Sequence, residues 1–178
     1  LLVAGAYAVD RGGAAEWRRL FPAALMVLIT LRPPMGFDDR LIKLLQQLTA
    51  RSASIVLDFF GVVHVLSGNV IEIPGRRLLV EEACSGVNSF FSATACVLFY
   101  VLWNRRGWIG SLLLFLSIPF WVVFANTLRV VAVTVLRYRW NIAADEGRLH
   151  DALGIAVFLL AVGLIISTER LLRFYGEI

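Results

Sequence analysis

The chain has 178 residues, of which 59% are hydrophobic and 17% charged, with a mean hydropathy of +0.77. A soluble domain of this length carries about a quarter charged residues, so a water-soluble globule is excluded and an integral membrane protein is indicated. The formal net charge of +4 calls for no nucleic acid, because basic loops beside anionic lipid headgroups account for it.

In chain order, Leu1–Val9 is apolar and reads as the tail of a truncated span; with no basic stretch before it, it is not a signal peptide. Leu20–Leu31 is a second apolar run, closed by Arg32-Pro33-Pro34, and short against the roughly 20 residues a span needs. Phe37–Leu66 is mixed. Leu41, Leu44, Leu45 and Leu48 recur at helical spacing beside Asp38, Arg40, Lys43, Gln46 and Gln47, which predicts an amphipathic helix on the membrane surface. Ile55–Leu66 is more apolar and either continues that helix or dips inward. Ser67–Val80 reads as a small hairpin, with Asn69–Ile73 alternating and Pro74-Gly75 as the centre of a type II turn.

Val87–Trp103 is a span ending at Asn104-Arg105-Arg106. Trp108–Leu128 is the next, with Pro119 inside it, and its apolar run continues past Arg129 to Leu136. As one helix that run is roughly 43 Å long against a ~30 Å hydrocarbon core, so it must tilt, bend near Pro119 or protrude. Asn141–Leu149 is a polar loop, and Asp151–Ser167 the last span, ending at Glu169-Arg170 and Arg173. The expected fold class is an all-α integral membrane bundle of about four to six transmembrane helices, with the interfacial helix and an extracytoplasmic hairpin. It forms one domain over 1–178: N-terminal spans in 1–36, an extracytoplasmic or interfacial segment in 37–80, and a helical core in 81–178.

Alternation of the spans carries Cys84, Arg129 and His150 to one face. Arg18-Arg19, Arg105-Arg106 and Arg170/Arg173 fall on the other, which the positive-inside rule makes cytoplasmic. The chemistry available to the first group is that of a thiol enzyme. An imidazolium or guanidinium nearby favours the thiolate. His150 would exchange protons with Cys84 and a leaving amine, and Arg129 would stabilise an oxyanion or hold a carboxylate. An arginine inside an apolar run costs at least ~2.5 kcal/mol on insertion scales, which marks Arg129 as functional. Glu82 is placed to pair with it, and Gly86 permits close backbone approach. Each residue also has a structural reading: a lone cysteine as a small buried hydrophobe, Arg129 as a snorkelling anchor, His150 as an ordinary helix-start residue. Cys96, mid-span among alanines and valines, reads as structural, and His64 sits in an apolar segment. Two cysteines and two histidines so scattered make no zinc site, and no metal or cofactor is expected.

Glu82-Ala83-Cys84-Ser85-Gly86, Ala125-Asn126-Thr127-Leu128-Arg129-Val130 and His150-Asp151-Ala152-Leu153-Gly154 with Phe158 resemble the three signature segments of the exosortase/archaeosortase family. Gly68–Gly75 resembles the stretch that precedes that family's cysteine. Each motif alone is weak; three in order, over roughly half the chain, are specific. The resemblance implies a polytopic membrane cysteine transpeptidase of the cytoplasmic (inner) membrane with an extracytoplasmic active site. It implies exported protein substrates bearing a C-terminal signal (a motif such as PEP, a transmembrane helix, then basic residues), as in PEP-CTERM systems tied to exopolysaccharide loci. It implies Cys84 as nucleophile, Arg129 as oxyanion or substrate-orienting group and His150 as acid/base, with Glu82, Ser85, Gly86 and Asn126 in support. Many members have about eight spans, more than this chain offers, which makes it a minimal subtype or a fragment. Two other readings stand beside this one: an intramembrane serine protease using Ser85 and His150, and a non-catalytic assembly factor for polysaccharide export.

Overall fold

Four helices and one small sheet make up this computed structural model, which describes residues 37–79, 86–104, 106–144 and 147–176. In order they are α1 (Phe37–Phe59), β1 (Val65–Ser67), β2 (Val70–Ile73), β3 (Arg76–Leu79), α2 (Gly86–Trp103), α3 (Trp108–Trp140) and α4 (Gly147–Gly176). The runs Leu1–Val9 and Leu20–Leu31 lie outside the described residues, as do Glu82, Cys84 and Ser85.

Helix α1 settles the mixed segment as one continuous helix that stops at Phe59 rather than running on to Leu66. Its stop is a Schellman motif. Gly61 takes φ +66°, Gly61 N–H donates to the Asp58 carbonyl at 3.0 Å, and Val62 N–H donates to the Leu57 carbonyl at 3.0 Å. The buried pair Leu57 and Val62 closes the motif with the apolar contact it usually carries. One face of α1 (Leu45, Thr49, Ala50, Ala53, Leu57) is buried, whereas Leu44, Leu48, Ile55 and Phe59 form a second, exposed apolar stripe. A helix with a core stripe and an outward apolar stripe suits the edge of a bilayer.

The expected hairpin is the second half of a three-stranded antiparallel meander, β1-β2-β3. Ile73 pairs with Arg76 across Pro74-Gly75, and Gly75 has φ +82°, the value that position i+2 of a type II turn requires. Ser67 pairs with Val70 across Gly68-Asn69, where Gly68 at φ +66° makes a second two-residue turn. Ile71 and Ile73 point to the core, and on the other face Glu72 meets its cross-strand partner Arg77 at 3.0 Å.

Among the described residues two helices, α3 and α4, are long and apolar enough to cross a membrane, and α2 carries a shorter apolar stretch, Ser89–Trp103. Only 22% and 17% of the most apolar windows of α3 and α4 are buried. Apolar surface turned outward on that scale suits lipid, not water. Helix α3 runs unbroken through Pro119 for 33 residues, about 50 Å. Its C-terminal part is covered by protein: Val130 and Val131 pack with Ala50, Ala53 and Leu57 of α1 and with Ile71, Ile73 and Leu78 of the sheet. A second core, Ala93, Val97, Leu114, Ile118, Val122 and Ile165, joins α2, α3 and α4. Among the described residues two apolar cores thus follow one another along α3, with Arg129 between Val122 of one and Val130 of the other. Asn141 at φ 52° caps α3 in the left-handed conformation, its N–H donating to the Arg137 carbonyl at 3.1 Å. The polar loop is shorter than expected, because α4 begins at Gly147 and takes His150 into its first turn.

Candidate active site

Arg129 is 4% exposed and shares the buried face of α3 with Ala125, Asn126, Val130 and Val133. A guanidinium has only donors to offer, so a buried arginine must be met by acceptors. Here both come from one residue of α4. A terminal nitrogen, Nη2, donates to His150 Nε2 at 2.9 Å and to the His150 backbone carbonyl at 3.1 Å. Because arginine cannot accept, Nε2 of His150 must be the acceptor, which makes the ring neutral with its proton on Nδ1. That Nδ1 and Arg129 Nε are both buried and have no hydrogen-bond partner among the described residues. Buried donors unmatched in this way are uncommon and call for a physical reason.

The approach of the two helices depends on Gly154. A Cβ built there would stand 3.1 Å from Arg129 Nη2, 3.3 Å from Cζ and 3.4 Å from Nη1, so the guanidinium lies flat against a turn of α4 that carries no side chain. His150 and Gly154 are four residues apart on one face, which puts the imidazole and the gap under the same guanidinium. Gly154 enters the sequence reading only as the last letter of a motif. Its steric role was signalled by nothing except a glycine four residues after the histidine.

Of the sequence-derived site residues, then, Arg129 and His150 are brought into contact and Asn126 lies buried one turn before Arg129. Gly86 is the first residue of α2. Cys84, Ser85 and Glu82 fall outside the described residues. His64 is elsewhere: its Nδ1–H donates to the Val62 carbonyl at 2.9 Å and its Nε2 accepts from Ser54 Oγ at 2.7 Å. Both nitrogens are thereby satisfied, and the ring ties the loop after α1 back to α1, with Asp58 at 3.9 Å and open to solvent. Cys96 faces outward from α2 as a free thiol. Among the described residues no group of three His, Cys, Asp or Glu side chains could hold a metal ion.

A second buried polar cluster was not anticipated. Glu169, 4% exposed, accepts at Oε1 from Tyr100 Oη at 2.8 Å, from Arg173 Nε at 2.8 Å and from Arg106 Nη1. Nineteen residues of α4 separate His150 from Glu169, about 28 Å along the axis and close to one hydrocarbon thickness. The two polar clusters are thus about one hydrocarbon thickness apart along a single helix. The arginines had served in the sequence only as topological markers. A lone acidic residue closing an apolar run was the available signal for the cluster.

Comparison with curated proteins and with solved structures gave no match. The model of the transmembrane exosortase family (Exosortase_EpsH) matches residues 1–167, a stretch that takes in α1 to α3, the Arg129–His150 contact and the Cys84 segment. With nearly its whole length inside that match, the chain belongs to the transmembrane exosortase family.

Proposed function

We propose that this chain is a membrane cysteine transpeptidase that removes the C-terminal sorting signal of exported proteins and passes the new carboxyl end to an acceptor. The supporting observation is the contact of buried Arg129 with half-buried His150, with two donors unpartnered among the described residues, together with family membership. Cys84 is the nucleophile in this reading, acting outside the cytoplasm.

The hydrogen bonding supports the following course for the reaction. Nδ1 of His150 already carries a proton, so the thiol proton of Cys84 goes to Nε2, the nitrogen that accepts from Arg129. An imidazolium accepts nothing, so that transfer releases the Arg129 N–H just as the thiolate attacks the scissile carbonyl and an oxyanion needs a donor. Collapse of the tetrahedral adduct breaks the C–N bond, and the imidazolium protonates the departing amine. A thioester on Cys84 remains. An acceptor amine, its proton taken by His150, attacks the thioester and restores the thiol; water in that place gives hydrolysis.

The test is to add a sorting-signal peptide to the protein in vesicles, quench in acid and map adducts by mass spectrometry. A hydroxylamine-labile acyl group on the fragment containing Cys84 is expected. An acyl group stable to hydroxylamine on Ser85 would favour the serine-protease reading and end this one.

A further inference from the structure

Helices α2 and α4 each pack on α3 but scarcely on one another, and a groove of about 640 Å³ runs between them. Its wall is apolar, with Ala93, Val97, Leu114, Val162, Ile165 and Ile166. One end is polar: Tyr100, Asn104, Glu169, Arg170 and Arg173. From Val162 to Arg173 the groove follows α4 for about 16 Å, the depth of one leaflet. Trp103, Trp108, Phe174 and Tyr175 are exposed around the polar end, as aromatic side chains are at the headgroup level.

Three features of that end define what it would hold. Among the described residues Arg106 and Arg173 pair with the single carboxylate Glu169 and Arg170 lines the same end, an excess of positive charge that repels a basic ligand, including a basic peptide tail. Arg170 is exposed and makes no ion pair among the described residues, and Arg173 is half exposed, so both can reach an anion. Glu169 lines the groove, and its Oε2 is buried with no hydrogen-bond partner among the described residues. A buried acceptor beside the exposed Arg170 and the half-exposed Arg173, whose Nε is held by Glu169, fits a molecule with an anionic phosphate, a hydroxyl donor and an apolar tail. The volume lies within the ~300–1,000 Å³ range of ligand cavities.

We propose that the α2–α4 groove is a binding site for one anionic glycerophospholipid of the phosphatidylglycerol type. An acyl chain lies along Val97, Val162 and Ile166, the phosphate meets Arg170 and Arg173, and a headgroup hydroxyl donates to Glu169 Oε2. The site is at the membrane face opposite Arg129 and His150, so it anchors and orients the span without taking part in the chemistry, and it stands whether or not Cys84 is a nucleophile.

Purified, delipidated full-length protein titrated with phosphatidylglycerol and, separately, phosphatidylcholine in native mass spectrometry tests this. One phosphatidylglycerol is expected to stay bound at collision energies that strip phosphatidylcholine. Arg170→Gln, an exposed change that leaves the Glu169 network intact, should weaken retention about five-fold. Ile166→Trp, which fills the groove, should abolish it while thermal unfolding stays unchanged. Equal retention of the two lipids, or of phosphatidylglycerol by wild type and both variants, would overturn the proposal. So would displacement of the lipid by a hydrophobic helical peptide with a basic tail, which would make the groove a protein-docking surface.

Discussion

Gly154→Ala separates a catalytic role of the Arg129–His150 pair from a structural one. The new Cβ would sit 3.1–3.4 Å from three atoms of the guanidinium, so the group must withdraw by a few tenths of an ångström. Both bonds from Nη2 to His150, now 2.9 and 3.1 Å, lengthen together because they leave the same nitrogen. A hydrogen bond to a charged group contributes about 1.5–3 kcal/mol, and a displaced guanidinium that makes only part of its bond to the oxyanion slows processing roughly five- to ten-fold. Stability moves the other way or not at all. Alanine in a helix interior is favoured over glycine by about 0.8–1 kcal/mol, which offsets the strain at Arg129. Gly163 provides the control. It is on the same helix, a Cβ there meets nothing within 4 Å, and Gly163→Ala should raise stability while leaving processing untouched. The assays are thermal unfolding in detergent and the rate of cleavage of a co-reconstituted substrate. Wild-type processing by Gly154→Ala, or equal loss in both variants, would refute the reasoning.

His150→Gln should keep the fold, since an amide oxygen can accept the Arg129 N–H, yet processing should fall at least ~100-fold for want of a proton carrier; unfolding curves and cleavage rates on one preparation check both halves. Glu169→Gln leaves Arg106 buried without a counter-charge and should destabilise by about 3–5 kcal/mol, read as a lower unfolding temperature, while correctly folded molecules process substrate at the normal rate. Gly110→Ala should act on the same cluster, because its Cβ would come within 2.6 Å of Arg106 Nε; a loss of thermal stability with unchanged cleavage is expected.

Much of the architecture was legible because lipid imposes simple rules. Apolar runs bounded by Arg105-Arg106 and by Arg170/Arg173 become helices, and counting their reversals puts Arg129 and His150 at the same end, where the structure has them hydrogen-bonded. The Pro74-Gly75 turn was legible because few sequences fit its backbone. Strand β1 was not, since Val65-Leu66-Ser67 is too short to show alternation and is defined by its pairing with β2. The cover over the C-terminal part of α3 was not legible, because Val130 and Val131 look the same to a sequence whether they meet lipid or α1. Glu169 and Gly154 were missed for a shared reason: each works through a residue 20 or more positions away, Arg106 or Arg129, and spacing along one chain segment carries no trace of such a partner.

Every proposed step of the reaction passes through Cys84. The most direct measurement is an immunoblot of a co-expressed exported protein carrying a C-terminal sorting tail, with wild type, Cys84→Ala, Ser85→Ala and Cys96→Ala compared at equal membrane abundance. Loss of processing in Cys84→Ala alone is the predicted result. Full processing by Cys84→Ala, whether or not Ser85→Ala fails, would contradict the account.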